Sequence, residues 1–344
     1  MKNNLILYIC HTDFRDLSSG SKVRPYKMYR AFLDKGYDVL LINGDIDSRL
    51  AAYRRIRRRI ADCRFCYIEP STYPIHPLDY HIYLGVFRQK IPIGIFYRDA
   101  YYKFPHWWKV AGPKKYELLL RYRMDWMLFK KVASVIFFPS ASMGAMFDFN
   151  RKVPLPPGAE EKFVDRPSRF NNAIHVGGIN EKYGADLLLE SFRAVNREQT
   201  LNLNLVCRRE DAAFLKYSAA DRWLNIHHAT GTELKKIYAQ SDFAVIPRKR
   251  DTYNDLAMPV KLFEYLSYGL PIVSTDCTEM AAFIRKNGVG IVTADHMEGF
   301  VRGVREMNRA LEKDDKFRAN VKEAVTCSNM WTHRVETIVE TLDE

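Results

Sequence analysis

The sequence predicts an α/β protein with two doubly wound, Rossmann-like domains. Short apolar strands alternate with segments of helical pattern in both halves, and a second strand–turn–helix series begins at Ala173. A stretch rich in proline and charge at residues 154–167 separates the two series, as expected of an interdomain linker. The chain has 344 residues, which is long enough for two domains that each bury a core.

The first half opens with a strand–helix–strand unit. Residues 5–10 and 38–42 are short apolar runs typical of buried parallel strands, and residues 23–35 carry apolar side chains at helical spacing. Gly36 ends this helix, and a tight loop is predicted before it at residues 18–21. Ligands of doubly wound sheets lie at the carboxyl ends of the strands, so the loops after the strands are the places to search for a site.

The second half repeats this organisation. Strands are predicted at residues 173–176, 201–206, 226–228, 243–246 and 272–274. Helices are predicted at residues 185–195, at residues 233–239 and from Pro259 onward. We therefore expect domains at residues 1–165 and 166–328, followed by a terminal helix within residues 329–344.

Composition favours a globular protein with reduced thiols. The mean hydropathy is −0.30, no apolar run is long enough to span a membrane, and the first residues lead into a strand rather than a signal peptide. The six cysteines are scattered, and the single CxxC pair, Cys63 and Cys66, lacks the second pair of a zinc site. These observations predict a cytoplasmic protein.

The net charge of +12 lies entirely in residues 1–165, which hold 28 basic and 16 acidic residues. The remainder holds 25 of each. This asymmetry predicts an anionic partner for the first half, either a membrane surface or a lipid-diphosphate-linked sugar, and a peripheral position on the inner face of the membrane. Generic solubility is the alternative explanation.

Residues 259–273, PVKLFEYLSYGLPIV, concentrate the features of a nucleotide-diphosphate site at one helix start. Pro259 and Val260 open the helix, and Lys261 lies in the first turn, where free N–H groups and the positive end of the helix dipole favour phosphate. Glu264 follows one turn later on the same face and can accept hydrogen bonds from two ribose hydroxyls.

This passage resembles the donor-binding segment of GT-B glycosyltransferases, in particular the family-4-like group, glycosyl transferases group 1. The resemblance implies an interdomain cleft and a terminal helix that crosses back onto the first domain, a place that Trp331 fits. It also implies that Glu264 holds the ribose while main-chain amides of the preceding loop hold the diphosphate. The glutamate that the family carries eight positions earlier is Leu256 here, with Asp255 beside it as the candidate sugar contact.

Residues 175–184, HVGGINEKYG, resemble the opening loop of the nucleotide domain in the same family. Gly177 and Gly178 allow the backbone to approach a diphosphate, and Lys182 can neutralise it as a compact charge. The arginine that is usual in this family is replaced by Gly178, which is a second departure from its pattern.

Two further loops of the second half are candidate ligand contacts. Arg208, with Arg209 beside it, follows a predicted strand and is the candidate for the missing cation, although paired arginines at a strand end are often simply solvated. Thr230 lies at the corner that clasps the nucleobase in related proteins. The alternative is an ordinary strand-to-helix turn with Thr230 or Thr232 as the N-cap.

In the first half, Gly20 and Asp99 are the candidate residues. Gly20 follows the first strand, where the resemblance implies a glycine loop near the donor phosphate or the acceptor. Asp99 follows a strand at residues 93–97 and is the candidate base that takes the proton of the acceptor hydroxyl in an inverting enzyme, with Asp13 and His106 as weaker alternatives. In a retaining enzyme Asp99 would orient the acceptor. The structural alternative is an Arg98–Asp99 interaction or a helix cap.

Three other segments are predicted to be structural or open to two interpretations. Residues 53–63 place apolar side chains at helical spacing among arginines, a pattern typical of a helix on an anionic bilayer or of one packed on the core. Residues 114–131 are predicted to be a buried helix with basic ends rather than a membrane anchor. Asp45 and Asp47 form a DxD motif that we interpret as a solvated turn, so no metal and no cofactor are expected.

The sequence thus predicts a glycosyltransferase that moves a sugar from a UDP- or GDP-type donor to a lipid-linked or oligosaccharide acceptor in surface polysaccharide or glycan biosynthesis. A GT-B-type epimerase or phosphorylase shares the expected scaffold. The alternative from a different class is a basic nucleic-acid-binding protein, but nucleic acid is not the expected partner because aromatic stacking platforms are not arrayed on the predicted strands. A dinucleotide dehydrogenase is disfavoured because neither half carries GxGxxG after its first strand.

Overall fold

The computed structural model describes residues 4–17, 20–166, 169–213, 215, 217 and 220–344. The chain divides into two compact units. The first unit comprises Met1–Gly158 and Trp331–Glu344, and the second comprises Ala159–Met330.

The first unit is built on a parallel six-stranded sheet in the order β2-β1-β3-β4-β5-β6. Its strands are β1 (Leu5–Cys10), β2 (Asp38–Ile42), β3 (Cys66–Glu69), β4 (Ile93–Phe96), β5 (Val135–Phe138) and β6 (Lys152–Pro154). Its helices are α1 (Gly20–Asp34), α2 (Ile46–Ile56), α3 (Pro77–Phe87), α4 (Pro113–Val132) and α5 (Ala141–Ala145). The central strands are buried along their whole length, as expected where helices cover both faces of a parallel sheet.

The second unit has a parallel sheet in the order β12-β11-β10-β7-β8-β9. Its strands are β7 (Asn172–Val176), β8 (Asn202–Val206), β9 (Leu224–His227), β10 (Phe243–Ile246), β11 (Ile272–Thr275) and β12 (Gly290–Thr293). Its helices are α6 (Ala185–Val195), α7 (Arg209–Ala212), α8 (Gly231–Ala239), α9 (Val260–Ser267), α10 (Thr278–Asn287), α11 (Met297–Lys313) and α12 (Lys316–Ala324).

The last helix, α13 (Trp331–Asp343), belongs to the first unit although it follows the second in sequence. It packs against α1 and β4, and its buried side chains join the same apolar core as Phe32 of α1. Gly94 of β4 makes this close packing possible, because a Cβ there would lie 3.2 Å from Leu342 and 2.7 Å from Phe137.

The segment predicted as a linker is part of the second unit from Ala159 onward. The amide of Ala159 donates to the carbonyl oxygen of Asn329 at 2.7 Å, and that of Lys162 donates to Ser267 at 3.0 Å. Phe163 and Val164 pack against the core of this unit. The division between the units therefore falls before Ala159 rather than after residue 165.

Two local predictions in the first unit differ from the structure. Gly20 opens α1, so residues 20–21 are helical rather than part of a tight loop, and the preceding Ser18 and Ser19 lie outside the described residues. Residues 53–63 are not one helix: α2 ends at Ile56 and a short 3-10 segment, Arg57–Asp62, follows.

Asp45 of the DxD motif is the N-cap of α2. Its carboxylate accepts a hydrogen bond from the amide of Ser48 at 2.8 Å, which explains why the helix begins there. The motif is therefore part of a helix start rather than a free turn. In the part of the chain that the structure describes, no helix is long and apolar enough to cross a membrane.

Candidate functional site

The start of α9 lies beside the carboxyl ends of β7 and β10. These two strands are parallel neighbours, with Ala244 opposite Ile174, so their carboxyl ends meet at one edge of the sheet. Pro259 is the N-cap of α9 and makes no side-chain capping bond, so the first amides of the helix receive no side-chain acceptor from it. The hydroxyl of Tyr265 accepts from the amide of Val176 at 2.8 Å and ties α9 to the end of β7.

Lys261 projects from the first turn of α9 onto a buried histidine. Its Nζ lies 3.4 Å from Nε2 of His175. The other ring nitrogen of His175 is 3.0 Å from the carbonyl oxygen of Val245, to which it can only donate. Burial, with the charge of Lys261 adding to it, lowers the pKa of His175 well below its ordinary range. His175 is therefore neutral, and its Nε2 accepts a hydrogen bond from Lys261.

A second cation, Arg248, approaches Lys261 from the loop after β10. The guanidinium carbon of Arg248 lies 5.5 Å from the ring centre of Tyr183, and Nζ of Lys261 lies 5.8 Å from the same ring. Arg248 donates to the side-chain oxygen of Asn254 at 3.3 Å, whereas its buried Nε has no hydrogen-bond partner among the described residues. The side chains that accept from the two cations, Asn254 and His175, are both neutral.

The pKa of Lys261 reflects this environment. Burial lowers it most, the positive charge of Arg248 lowers it further, and Glu264 opposes both, which leaves the pKa at about 7. Two like charges that lie near each other and are bound mainly by neutral groups repel, and an anion placed between them would relieve that repulsion. This part of the second unit is therefore suited to a phosphate group.

The glycine loop after β7 leaves room for such a group. Gly177 has a φ of 110°, a region that favours glycine, and its absent Cβ would lie 3.4 Å from Nζ of Lys261. Gly178 follows it beside the Tyr183 ring. Gly184 has a φ of 80°, and a Cβ there would lie 1.6 Å from the carbonyl oxygen of Pro247, so the loop that carries Tyr183 packs tightly on the loop that carries Arg248.

Glu264 lies partly buried, one turn after Lys261. Burial raises the pKa of the neighbouring Tyr238 well above its ordinary value, and the negative charge of Glu264 adds to this effect. Glu264 also acts to raise the pKa of Lys261, so its carboxylate lies near both Tyr238 and that cation.

Asp255, predicted as a sugar contact, is bound within the protein. Its carboxylate pairs with Arg250, with hydrogen bonds of 3.1 Å to each oxygen, and accepts from the amide of Thr278 at 3.0 Å. Burial acts to raise the pKa of Asp255, but these hydrogen bonds outweigh it, and the pKa is lowered. Asp255 therefore anchors its loop to the start of α10.

The remaining predicted residues of the second unit lie on separate loops. Arg208 is exposed and precedes the short helix α7, which begins at Arg209. Thr230 is the N-cap of α8, which is the alternative to a nucleobase contact, but its side chain makes no capping bond. The side chain of Lys182 lies outside the described residues. The structure thus brings together Lys261, Gly177 and Gly178 with Arg248, which the sequence did not single out.

In the first unit, Asp99 is partly buried after β4 and accepts a hydrogen bond from the hydroxyl of Thr72 at 3.4 Å. The neighbouring Arg98 contacts the buried carboxylate of Glu69 at 3.4 Å. The partner of Arg98 is therefore Glu69 on β3, whereas the structural alternative had named Asp99. Arg24 approaches the same carboxylate at 3.5 Å, so two arginines share one buried glutamate.

A second buried ion pair lies at the same edge of this sheet. Arg49 binds Asp79 through two hydrogen bonds of 2.9 and 2.6 Å, and both side chains are buried. His11 lies 3.7 Å from Asp79 and accepts from the amide of Ser71 at 3.3 Å. Burial and the charge of Arg49 lower the pKa of His11 to about 4, so the ring is neutral at physiological pH.

Metal-binding clusters and cavities are the other places where a functional centre could lie. No group of three or more His, Cys, Asp or Glu there is arranged to hold a metal ion. One cavity opens between α11 and α12, lined by Arg302, Arg309 and Lys313 among others, and none of the predicted site residues lines it. Cys63 and Cys66 are buried free thiols.

Comparison with known proteins identifies a family that matches most of the second unit. Residues 171–309 match the family described as Glycosyl transferases group 1. No curated protein matches the sequence closely enough to count as a relative.

Solved structures match nearly the whole chain. An α-glucosyltransferase in complex with UDP and a 13-mer DNA is 13% identical with a TM-score of 0.69, and the match covers 99% of each chain. WaaG, a glycosyltransferase involved in lipopolysaccharide biosynthesis, is 13% identical with a TM-score of 0.64, over 96% of this chain and 98% of that one. Anabaena HepE in complex with UDP is 11% identical with a TM-score of 0.65, over 98% and 99%. At such identities these likenesses establish the fold, which is GT-B.

Proposed function

We propose that this chain, a GT-B glycosyltransferase whose second unit matches the group 1 family, transfers a sugar from a UDP- or GDP-type nucleotide-diphosphate sugar. The proposed acceptor is a lipid-linked sugar or an oligosaccharide, in the assembly of a surface polysaccharide or glycan. The single observation that carries the donor assignment is the pair of cations, Lys261 and Arg248, at the start of α9.

The donor proposal follows from the charges at this point. A diphosphate brings negative oxygens that can accept hydrogen bonds from Lys261, from Arg248 and from the first amides of α9. Gly177 and Gly178 leave space for its close approach to the backbone. Glu264, one turn along the same helix, would accept from the ribose hydroxyls. UDP is the nucleotide bound in two of the three similar structures named above, which supports a uridine donor.

The acceptor proposal rests on the first unit. Its carboxyl strand ends carry Asp99, whose carboxylate is partly buried and within reach of the Thr72 hydroxyl. In an inverting reaction Asp99 would take the proton of the attacking hydroxyl, and in a retaining reaction it would orient that hydroxyl. Among the similar proteins, WaaG is involved in lipopolysaccharide biosynthesis, and another was solved with DNA.

Calorimetric titration with UDP and with inorganic pyrophosphate tests the donor site. Lys261→Met and Arg248→Met should each weaken both ligands, whereas Glu264→Gln should weaken UDP and leave pyrophosphate unchanged. Lys249→Met, an exposed neighbour of Arg248, is the matched control and should change neither. Equal affinity of the wild-type protein and all three site variants for UDP would contradict the proposal.

Turnover assays test the acceptor and the reaction class. Asp99→Asn should lower kcat by roughly 100-fold or more if Asp99 is the base, with the donor affinity unchanged. Lipid-linked sugars, oligosaccharides and duplex DNA should be offered in parallel as acceptors. Consumption of the donor without any acceptor, with formation of an isomeric nucleotide sugar, would assign the epimerase reaction instead.

A further inference from the structure

Helix α4 has two opposite apolar faces, of which one is buried and one is exposed. Its buried face carries Leu118, Tyr122, Leu128 and Phe129 and packs on the first unit. The opposite face carries four large apolar side chains whose exposed fractions are unusually high: Tyr116 73%, Leu120 59%, Met124 48% and Met127 67%. A surface helix of a globular protein normally has one apolar stripe, so the second stripe needs an explanation.

The four exposed residues form one continuous stripe. At 100° per residue, an arc of about 80° on the helix surface holds all four of them. We call Tyr116, Leu120, Met124 and Met127 the α4 stripe. The sequence predicted a buried helix here because two apolar faces make the whole segment rich in large apolar residues. The structure corrects that prediction for the outer face.

Basic side chains border the α4 stripe. The helix contains six lysines and arginines and two acidic residues, one of which, Asp125, is buried. Arg123, Lys130 and Lys131 are exposed on the same side of the helix as the stripe. Cations beside an exposed apolar stripe are the pattern of a helix that lies in the headgroup region of an anionic membrane.

A second group of basic residues lies on α2 and on the 3-10 segment that follows it. Helix α3 packs against both α2 and α4, so the three helices lie side by side on one face of the sheet. The segment 53–63, the other membrane candidate, buries its apolar residues Tyr53, Ile56 and Ile60 in the core. Its arginines remain exposed on α2 and the 3-10 segment that follows: Arg54, Arg55, Arg57, Arg58 and Arg59.

We propose that the α4 stripe inserts into the headgroup region of a bilayer that contains anionic phospholipid, while the arginines at residues 54–59 bind its surface. The first unit carries 28 basic and 17 acidic residues, against 25 and 24 in the second, so charge complementarity favours an anionic surface over a neutral one. The inference rests on the proposed function only for the expectation that a lipid-linked acceptor lies at this surface.

Vesicle flotation without nucleotide tests this docking surface. Wild-type protein should float with phosphatidylcholine vesicles that contain phosphatidylglycerol and not with phosphatidylcholine alone. The double variant Leu120→Ser, Met127→Ser should partition at least about tenfold more weakly, because two apolar side chains no longer leave water. Met297→Ser, an exposed methionine of the second unit, is the matched control and should float like wild type.

The arginines give an independent arm of the same experiment. Arg55→Glu with Arg58→Glu should weaken flotation, and added salt should weaken the wild-type binding. UDP binding by every variant reports that the chain is folded. Lipid binding is measured without donor. If the wild-type protein does not bind UDP, the proposed function is contradicted, but the inference about membrane binding is not.

A fluorescent label locates the contact. Cys327 is the exposed cysteine, so Met127→Cys in a Cys327→Ser background directs an environment-sensitive dye to the α4 stripe. The dye should shift to shorter wavelength with anionic vesicles, whereas the same dye on Met297→Cys should not. Three results would overturn the proposal: no flotation of the wild type, flotation unchanged in the stripe variant, or a dimer that the stripe variant dissociates without lipid binding.

Discussion

The two units differ in how their buried and half-buried cations are bound. In the first unit, Arg49 is paired with Asp79, and Arg24 and Arg98 share Glu69. In the second unit, Lys261 and Arg248 lie beside the same aromatic ring and are bound by neutral side chains. Each of these arginines of the first unit contacts a carboxylate, whereas in the second unit we expect a bound anion to supply the negative charge.

We therefore expect the arginines of the first unit to stabilise the fold, and Lys261 and Arg248 to bind a ligand. Removal of a carboxylate from the first unit leaves a buried charge without compensation, which is costly. Removal of a cation from the start of α9 relieves repulsion in the free protein and weakens only the bound state. Substitutions at the ion pairs of the first unit should therefore lower stability, whereas substitutions of the cations at the start of α9 should lower ligand affinity.

The largest expected effect is on the stability of the first unit. Asp79→Asn leaves Arg49 buried without its counter-charge and should lower the free energy of unfolding by about 3–5 kcal/mol. Urea denaturation measures it, with Asp148→Asn as the control, since the pair of Asp148 with Lys130 is exposed and screened by solvent, so its loss should change stability little. Equal losses in the two variants would remove the contrast between the units.

The next effect is on the affinity of the second unit. Lys261→Met should weaken UDP by about 1.5–3 kcal/mol, the range for a hydrogen bond to a charged group. Its free energy of unfolding should not fall, because the apolar stem is kept and the repulsion with Arg248 is lost. A variant that unfolds much more easily while its folded fraction still binds UDP normally would assign Lys261 a structural role.

The pH dependence of donor binding is a smaller effect with a defined sign. The pKa of Lys261 is about 7 in the free protein, and the bound diphosphate favours the charged form. Above that pKa, binding must be accompanied by proton uptake, so the affinity should fall with rising pH by at most about tenfold per unit. Calorimetry of a nucleotide-diphosphate sugar in buffers of different ionisation enthalpy measures the uptake. Lys261→Met should abolish it.

The smallest effect concerns Asp255. Loss of its bonds to Thr278 and Arg250 in Asp255→Ala should lower the free energy of unfolding by about 1 kcal/mol, as for other helix starts. UDP affinity should stay unchanged. If the affinity for the nucleotide sugar falls while that for UDP does not, Asp255 is the sugar contact that the sequence proposed.

Sequence pattern was sufficient for the fold and for part of the site. Residues 5–10, 38–42, 185–195 and 243–246 form the predicted elements without a shift, because apolar periodicity directly reports which face is buried. The start of α9 is predictable because Pro259, Lys261 and Glu264 lie close together in the sequence. Local chemistry of this kind requires no knowledge of packing.

Contacts between distant loops could not be predicted in this way. Arg248 lies in the run Arg–Lys–Arg at residues 248–250, which looks like a solvated charge cluster, and only packing brings it to Tyr183 and Lys261. The contacts of Asp255 with Arg250 and with the start of α10 could not be predicted either, because they also join separate segments. The exposed face of α4 was missed because composition cannot distinguish one apolar face from two.

The return of α13 to the first unit has a consequence for the order of folding during synthesis. Trp331, Val335, Ile338 and Leu342 complete the core around α1, yet they leave the ribosome after the entire second unit. The second unit is contiguous in sequence, so it can fold while translation continues. The core of the first unit stays incomplete, with apolar side chains exposed, until α13 has been synthesised. A nascent chain stalled before Trp331 should therefore expose that surface to chaperones.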